Sequence, residues 1–347
     1  MKIVIESHIP YIQGLLEPYA NVCYLETEQI TAESLRDAQV LITRTRTKCN
    51  EALLRHSAIQ MIATATIGTD HIDLDYCRRA GIKVVNAPGC NAPAVAQWVM
   101  ASIGQWMSHK GISRTQDLTL GVVGVGHVGS IVARWAKQMG FQVLLCDPPR
   151  AQREGDAAFS HLRELQARCH IITFHTPLYR EGALSTYHLC DADFLAHAPH
   201  LQLLMNAARG PICHNEALAQ WQGDVAIDCW ENEPHILPAL LEKAFVATPH
   251  IAGYSAEGKL RGTAMVVEAL NREFGWQAIP QAAQAPYEGA AHVTLHSVMQ
   301  TYNPLLDTAQ LKANPTPAHF EHLRNHYPLR KETPPSIASI PSISTHL

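Results

Sequence analysis

The sequence has little of what would place it in several common classes. No apolar stretch reaches the roughly twenty residues that a membrane-crossing helix needs. The opening MKIVIESHIPYIQG has no cationic start followed by a long apolar run, so neither a secretory leader nor membrane association is expected. Charge is scarce and nearly balanced. Against 31 Asp and Glu stand 27 Lys and Arg, a net of -4, so no basic surplus for a nucleic-acid backbone exists and no nucleic-acid partner is expected. The nine cysteines are odd in number, scattered and free of any CxxC pair. That excludes an evident disulfide framework and fits reduced thiols in a cytoplasm. The 20 histidines do not cluster at metal-ligand spacing, so no metal is expected. No internal repeat stands out.

What is present is a chain of 347 residues, 47% apolar, long enough for two domains and a small third part. Residues 119–147, TLGVVGVGHVGSIVARWAKQMGFQVLLCD, organise the rest. The apolar run 118–123 predicts a buried strand, Gly124-x-Gly126-x-x-Gly129 a tight turn, 128–139 a helix and 141–146 a second strand ending in Asp147. A lone GxGxxG is weak evidence. Between strand and helix, with an acid 18 residues after Gly129, it points to a dinucleotide. The helix N-terminus suits the pyrophosphate. Asp147 suits ribose hydroxyls and repels a 2′-phosphate, which favours NAD over NADP, although Arg150 lies close by.

On either side, strands alternate with helices. Strands are expected at 2–6, 22–25, 40–43, 59–64 and 82–86, and helices at 10–19, 51–56 and 73–80. A long helix at 91–109 links this first α/β unit to the fingerprint. Further strands are expected at 142–146, 170–174, 202–205, 225–227 and 245–247, followed by a helix at 255–274 that returns the chain to the first unit. Two crossings suit hinge closure. Beyond about 275 a strand at 294–299 and a helix at 318–326 are expected. The Pro- and Ser-rich 333–347 is expected to be a disordered tail.

Ligands of open α/β sheets bind beyond the carboxyl ends of the strands. Arg209, Asp228, Glu233 and His250 all follow expected strands there. An imidazole can take a hydroxyl proton as hydride leaves the carbon. A carboxylate partner orients the ring and favours its cation. A guanidinium can hold a carboxylate by two parallel bonds. Each residue alone is weak evidence; together on successive strand ends they suit oxidation of a hydroxy acid. In TRTRTK (43–48), Arg44 and Thr45 are candidates to hold a phosphate, with a solvated basic loop as the plain alternative.

VVGVGHVG (122–129), FHTPL (174–178), NAARGP (206–211), DCWENEP (228–234) and TPHIAGY (248–254) occur in an order that resembles the D-2-hydroxyacid dehydrogenase family. The resemblance covers residues 1 to about 275. ATATIGTDHID (63–73), NAPGCNAPAVAQWV (86–99), LLCDPPRA (144–151) and HIAGYSAEGKLRGT (250–263) narrow it to a subgroup whose substrate is a phosphorylated hydroxy acid. It implies a Rossmann doubly wound parallel-sheet NAD domain (93–254) and a flavodoxin-like α/β substrate domain (1–92, completed by about 255–275). It also implies a small α+β C-terminal dimerisation region (276–332), and hence a homodimer. Arg209, Glu233 and His250 match the catalytic residues. Gly124, Gly126, His127, Val128, Gly129, Asp147, Thr176, Asp228 and Gly253 match NAD contacts. Thr45, Thr66 and Tyr254 match substrate contacts; Ser is more usual where Thr45 stands. The subgroup has a further strand and helix where this chain has its Pro/Ser tail. Two alternatives stay open: a dehydrogenase of another 2-hydroxy acid, and a non-catalytic NAD-sensing protein on the same fold.

Overall fold

The computed structural model describes residues 1–280 and 293–332. It divides into two compact units, Met1–Asn91 with Ser255–Ala285, and Ala92–Tyr254 with Pro286–Leu347.

The first unit opens with β1 (Lys2–Glu6), β2 (Asn21–Leu25) and β3 (Val40–Thr43). It continues with α1 (Glu51–Leu54), β4 (Met61–Thr64), α2 (Leu74–Arg79) and β5 (Lys83–Val85). The strands form one parallel sheet in the order β2-β1-β3-β4-β5. Successive side chains of a strand point to opposite faces. Ile3 and Ile5 therefore join one core layer with Ile42, while Val4 joins the other with Leu41 and Ile62. Near-continuous apolar runs of this kind belong to a sheet covered on both faces. The expected helix at 10–19 is not formed; this stretch is a series of turns. Pro10 and Pro18 bracket it, and Tyr11 and Gly14 adopt φ of 62° and 84°, left-handed values that no α-helix contains.

The second unit begins with α3 (Ala92–Lys110), buried along most of its length. There follow β6 (Thr119–Val123), α4 (His127–Gln138), β7 (Gln142–Cys146), α5 (Pro148–Glu154) and α6 (Leu162–Arg168). Then come β8 (Ile171–Phe174), α7 (Ala192–Ala196), β9 (Leu203–Asn206), α8 (Asn215–Gln220), β10 (Asp224–Ile227), α9 (Pro238–Lys243) and β11 (Val246–Ala247). All pairs are parallel, in the order β11-β10-β9-β8-β6-β7. The winding reverses between β6 and β8, so the loops after these two strands flank the topological switch point of the sheet. α10 (Ala256–Phe274) then returns the chain to the first unit, capped by the Ser255 hydroxyl and closed by Gly275 at φ 71°.

Among the described residues, three helices complete the second unit: α11 (Leu295–Thr301), α12 (Pro304–Ala313) and α13 (Pro317–Asn325). The expected strand at 294–299 is not formed; these residues are the cap and body of α11. Thr294 and Ser297 exchange side-chain and backbone bonds as a capping box. Leu295 and Met299, one turn apart, face Gly104 of α3, where a Cβ would collide with the Met299 sulfur. The expected tail, 333–347, lies outside the described residues.

Candidate active site

The loop after β6 is built for close approach. Gly124 has φ 85°, and a Cβ there would lie 2.8 Å from the His175 carbonyl carbon and the Thr176 nitrogen. A Cβ on Gly129 would overlap the Gly124 carbonyl oxygen, which lets α4 start against the loop. Gly126, the N-cap of α4, is exposed with open space where a Cβ would stand. His127 and Val128 form the first turn of that helix, whose N-terminal amides carry partial positive charge. Across the switch point, Thr176 Oγ1 and His175 Nδ1 are buried without a partner. Burial pulls the His175 imidazole down to about 3, so it is neutral. A permissive cradle with orphaned polar atoms on its rim fits a dinucleotide pyrophosphate.

Asp147 caps α5. Its Oδ1 accepts the Arg150 N–H at 3.0 Å and its Oδ2 the Val125 N–H at 2.7 Å. A carboxylate oxygen has two lone pairs, so each retains one for a ribose hydroxyl while the acid locks the glycine loop.

The reactive pair lies beyond β10 and β11. His250 Nδ1 and Glu233 Oε2 are 2.8 Å apart, and Glu233 Oε1 accepts the Trp230 N–H at 2.7 Å. Burial alone would raise the Glu233 carboxyl. His250, the Trp230 N–H and, further off, Arg324 outweigh it and hold the group below its ordinary value. Glu233 is therefore an anion at neutral pH. An anion only accepts, so Nδ1 carries the proton and Nε2 keeps the basic lone pair. His250 has φ 57° and Asn232 φ 59°, left-handed values that His and Asn adopt more readily than most side chains, and the Glu233–Pro234 peptide is cis.

Asp228, expected at the cofactor, lies under this turn. Its Oδ1 accepts from Thr248 Oγ1 at 2.6 Å and from the amides of Ile251 and Ala252 at 2.8 and 3.0 Å. Burial raises its carboxyl, opposed by His250 and by these donors. Within the chain it shapes the 248–252 turn that presents His250.

Arg209 follows β9 on a neighbouring loop. Asn206 fixes that loop by accepting the Ala208 N–H at 3.1 Å and donating to the Arg209 carbonyl at 2.9 Å. At Gly210 a Cβ would overlap the Trp230 carbonyl, so only glycine lets the Arg209 loop lie against the loop of Glu233.

Three residues escaped the sequence reading. Cys229 packs beside the dyad, its thiol pushed up by burial and by Asp228 and Glu233. Arg324 of α13 hydrogen-bonds Tyr254 and adds positive charge near Glu233. Arg330, 9% exposed, holds the 250–254 turn: Nη1 donates to the carbonyls of Ile251 and Tyr254 at 3.0 Å each, and Nη2 to that of Ala252. Gly253 and Tyr254 are half-buried in that turn, and the Tyr254 ring meets Tyr327 edge-on at 6.1 Å. The sequence signal was the run HFEHLRNHYPLRKE (319–332), read only as part of a dimerisation region.

The remaining candidates belong to the first unit. Thr45 is exposed after β3. Thr66 Oγ1 lies 2.7 Å from Thr64 Oγ1 and donates to the Gly68 carbonyl at 3.3 Å. Arg44 is not loose in a solvated loop: Nε and Nη2 grip the two oxygens of buried Glu6 at 2.5 and 2.7 Å.

No helix among the described residues is long and apolar enough to cross a membrane.

Residues 91–252 match the family described as D-isomer specific 2-hydroxyacid dehydrogenase, NAD binding domain. The chain is 43% identical over 342 residues to an erythronate-4-phosphate dehydrogenase of Bacteroides thetaiotaomicron, covering 96% of this chain and 97% of the relative. It is 40% identical to the enzyme of that name from Porphyromonas gingivalis, covering 96% and 94%. The fold matches a D-lactate dehydrogenase of Aquifex aeolicus solved with NAD and lactic acid. There the TM-score is 0.64 at 23% identity, over 79% of this chain and 95% of that one. The matched family model is an NAD-binding domain, and the cofactor is NAD. On this similarity, and on the cradle and dyad that agree with it, the chain is an NAD-dependent oxidoreductase and belongs to the D-2-hydroxyacid dehydrogenase family.

Proposed function

We propose that the protein oxidises 4-phospho-D-erythronate at its 2-hydroxyl to (R)-3-hydroxy-2-oxo-4-phosphooxybutanoate, a step towards pyridoxal 5′-phosphate. The observation that carries this reading is the 2.8 Å His250–Glu233 bond. It occurs in a chain that aligns almost end to end with erythronate-4-phosphate dehydrogenases.

NAD, when bound, supplies the hydride acceptor. His250 takes the hydroxyl proton on Nε2 as the C2–H bond gives up its hydride. Glu233 stabilises the imidazolium that results and keeps the ring in one tautomer. Arg209 holds the substrate carboxylate and polarises the oxygen that becomes the carbonyl. Gly124, Gly126, His127, Val128 and Gly129 cradle the pyrophosphate, Asp147 takes the ribose, and Thr176, Asp228 and Gly253 complete the cofactor contacts. Thr45, Thr66 and Tyr254 contact the hydroxy acid. Arg44 meets its phosphate while Glu6 keeps the guanidinium in one orientation.

In this reading the first unit is the substrate domain, the sheet of β6–β11 the NAD domain, and residues 276–332 carry a homodimer contact. A cytoplasmic setting accords with nine cysteines, none of them in a disulfide.

The test is NADH formation on 4-phosphoerythronate, 3-phosphoglycerate, lactate and glycerate, with a 2-oxo acid added to drain tightly held NADH. Selective turnover of 4-phosphoerythronate is expected. Preference for another acid would reassign the substrate, and silence on all four with NAD still bound would leave a sensor. Sedimentation of the same sample reads the homodimer, and a monomer at working concentration removes that assignment.

A further inference from the structure

Arg150 is the cation that the sequence leaves beside the ribose acid, and the structure shows what restrains it. Its backbone N–H caps onto Asp147 Oδ1 at 3.0 Å. The side chain folds back, so that Nη1 donates to the Val125 carbonyl in the glycine loop at 2.6 Å and the guanidinium lies over the Phe159 ring at 5.3 Å. The other edge is taken by Glu154, one turn along α5. Nε donates to its two oxygens at 2.9 and 3.1 Å, and Nη2 to Oε2 at 2.6 Å. Arg153 adds a bond to Glu154 Oε1 at 2.8 Å. Acid and base thus alternate along one short helix: Asp147, Arg150, Glu154, with Arg153 behind.

A guanidinium one turn after the strand-end acid stands where a 2′-phosphate would be met. Its Nε–Nη2 edge is the fork that grips a phosphate by two parallel bonds. We propose that Glu154 is a cofactor-specificity residue: it occupies the fork of Arg150 and so withholds from a 2′-phosphate the cation that would offset Asp147. The effect runs through the filled fork: with Glu154 in place, Arg150 has no free Nε–Nη2 edge to offer a phosphate. The bonds to Arg150 and then Arg153 pull the Glu154 carboxyl down to about 2, so the restraint persists across the working pH range. Asp147 selects NAD directly; Glu154 does so by keeping the nearby arginine from cancelling that choice.

The test reads binding, by the fluorescence of NADH and NADPH titrated onto the purified protein, and needs no hydroxy acid. Its outcome is therefore separate from the substrate assignment above. Removing one charge-assisted partner in Glu154→Gln, and more fully in Glu154→Ala, should raise the NADPH-to-NADH affinity ratio about tenfold. The double variant Arg150→Ala/Glu154→Ala should return the ratio to the wild-type value. Glu154 is 38% exposed at its side chain, so its replacement leaves no buried group unpaired. An unchanged ratio in both single variants overturns the proposal, as does a gain that survives the loss of Arg150.

Discussion

Each unit sets a buried or half-buried carboxylate at or beyond the carboxyl end of a strand and answers it with a different basic side chain. In the first unit Glu6, at the end of β1, is gripped through both oxygens by Arg44, which follows β3. In the second Glu233, beyond β10, meets His250, beyond β11, through one oxygen. Both carboxyls would be raised by burial and are instead held below their ordinary value, Glu6 by Arg44 with His8 beside it, Glu233 by His250 with the Trp230 N–H and Arg324. The geometry is alike and the consequence is not. A guanidinium cannot release its proton in a protein, so Glu6–Arg44 holds its loop in place and cannot pass a proton on. An imidazole gains and loses a proton near neutrality, so Glu233–His250 can pass one on. One parallel-sheet architecture thus accommodates a fixed clamp or a pair chemically able to move a proton, according to the basic side chain at the strand end.

The sharpest way to break the comparison is to remove the proton carrier. His250→Ala should lower kcat by about 10³-fold or more, the range that general base catalysis supplies. NADH binding, followed by fluorescence, should stay nearly intact, because the glycine loop and Asp147 are untouched. Near-normal turnover would strip His250 of its role and make the second pair a clamp like the first.

The comparison also shows why parts of the molecule were legible in advance. Strands such as 2–6 and 40–43 stand where expected, because a buried parallel strand is a short apolar run and little else competes for it. The dyad was legible because Glu233 and His250 follow consecutive strands, and strand ends of a doubly wound sheet converge. The failures came where local chemistry overrode periodicity. Residues 10–19 have helical spacing, but prolines and left-handed backbone forbid the helix. Residues 294–299 alternate like a strand, but the Thr294–Ser297 box starts a helix. Arg44 looked like a free cation because its partner lies 38 residues away, on another strand. Arg324 and Arg330 were missed for the same reason, since the turn they hold lies some seventy residues upstream.

The clamp itself gives the next largest effect. Arg44→Met should destabilise the protein by about 3 kcal/mol, because buried Glu6 loses both guanidinium bonds and keeps only His8 and Thr27, both on Oε1. Thermal unfolding at several pH values reads it. The lowered Glu6 carboxyl contributes stability above its unfolded value and loses it as pH falls through the folded value. The gap between wild type and variant should therefore be widest at neutral pH and narrow below about pH 4. A gap independent of pH would mean that Arg44 acts by packing alone. If Arg44 also meets the substrate phosphate, the variant's KM for 4-phosphoerythronate should rise far more than its KM for NAD, and an equal rise would confine the residue to its clamp.

The smallest effect tests whether the first unit has any partner outside itself. Thr64 is fully buried in β4, and its hydroxyl lies 2.7 Å from that of Thr66. Thr66→Val keeps the shape and removes the second hydroxyl, leaving Thr64 with one partner fewer, at a cost of about 1 kcal/mol. Thr66→Ser keeps the hydroxyl and should be nearly neutral. If the pair is only structural, like Glu6–Arg44 read as a clamp, Thr66→Val lowers the unfolding temperature and leaves every KM alone. A contact with the hydroxy acid adds a several-fold rise in its KM in Thr66→Val, restored in Thr66→Ser, because one neutral hydrogen bond is worth about 1 kcal/mol. Stability and KM thus separate a hydroxyl that serves the fold from one that serves the ligand, and only the serine variant is expected to rescue both.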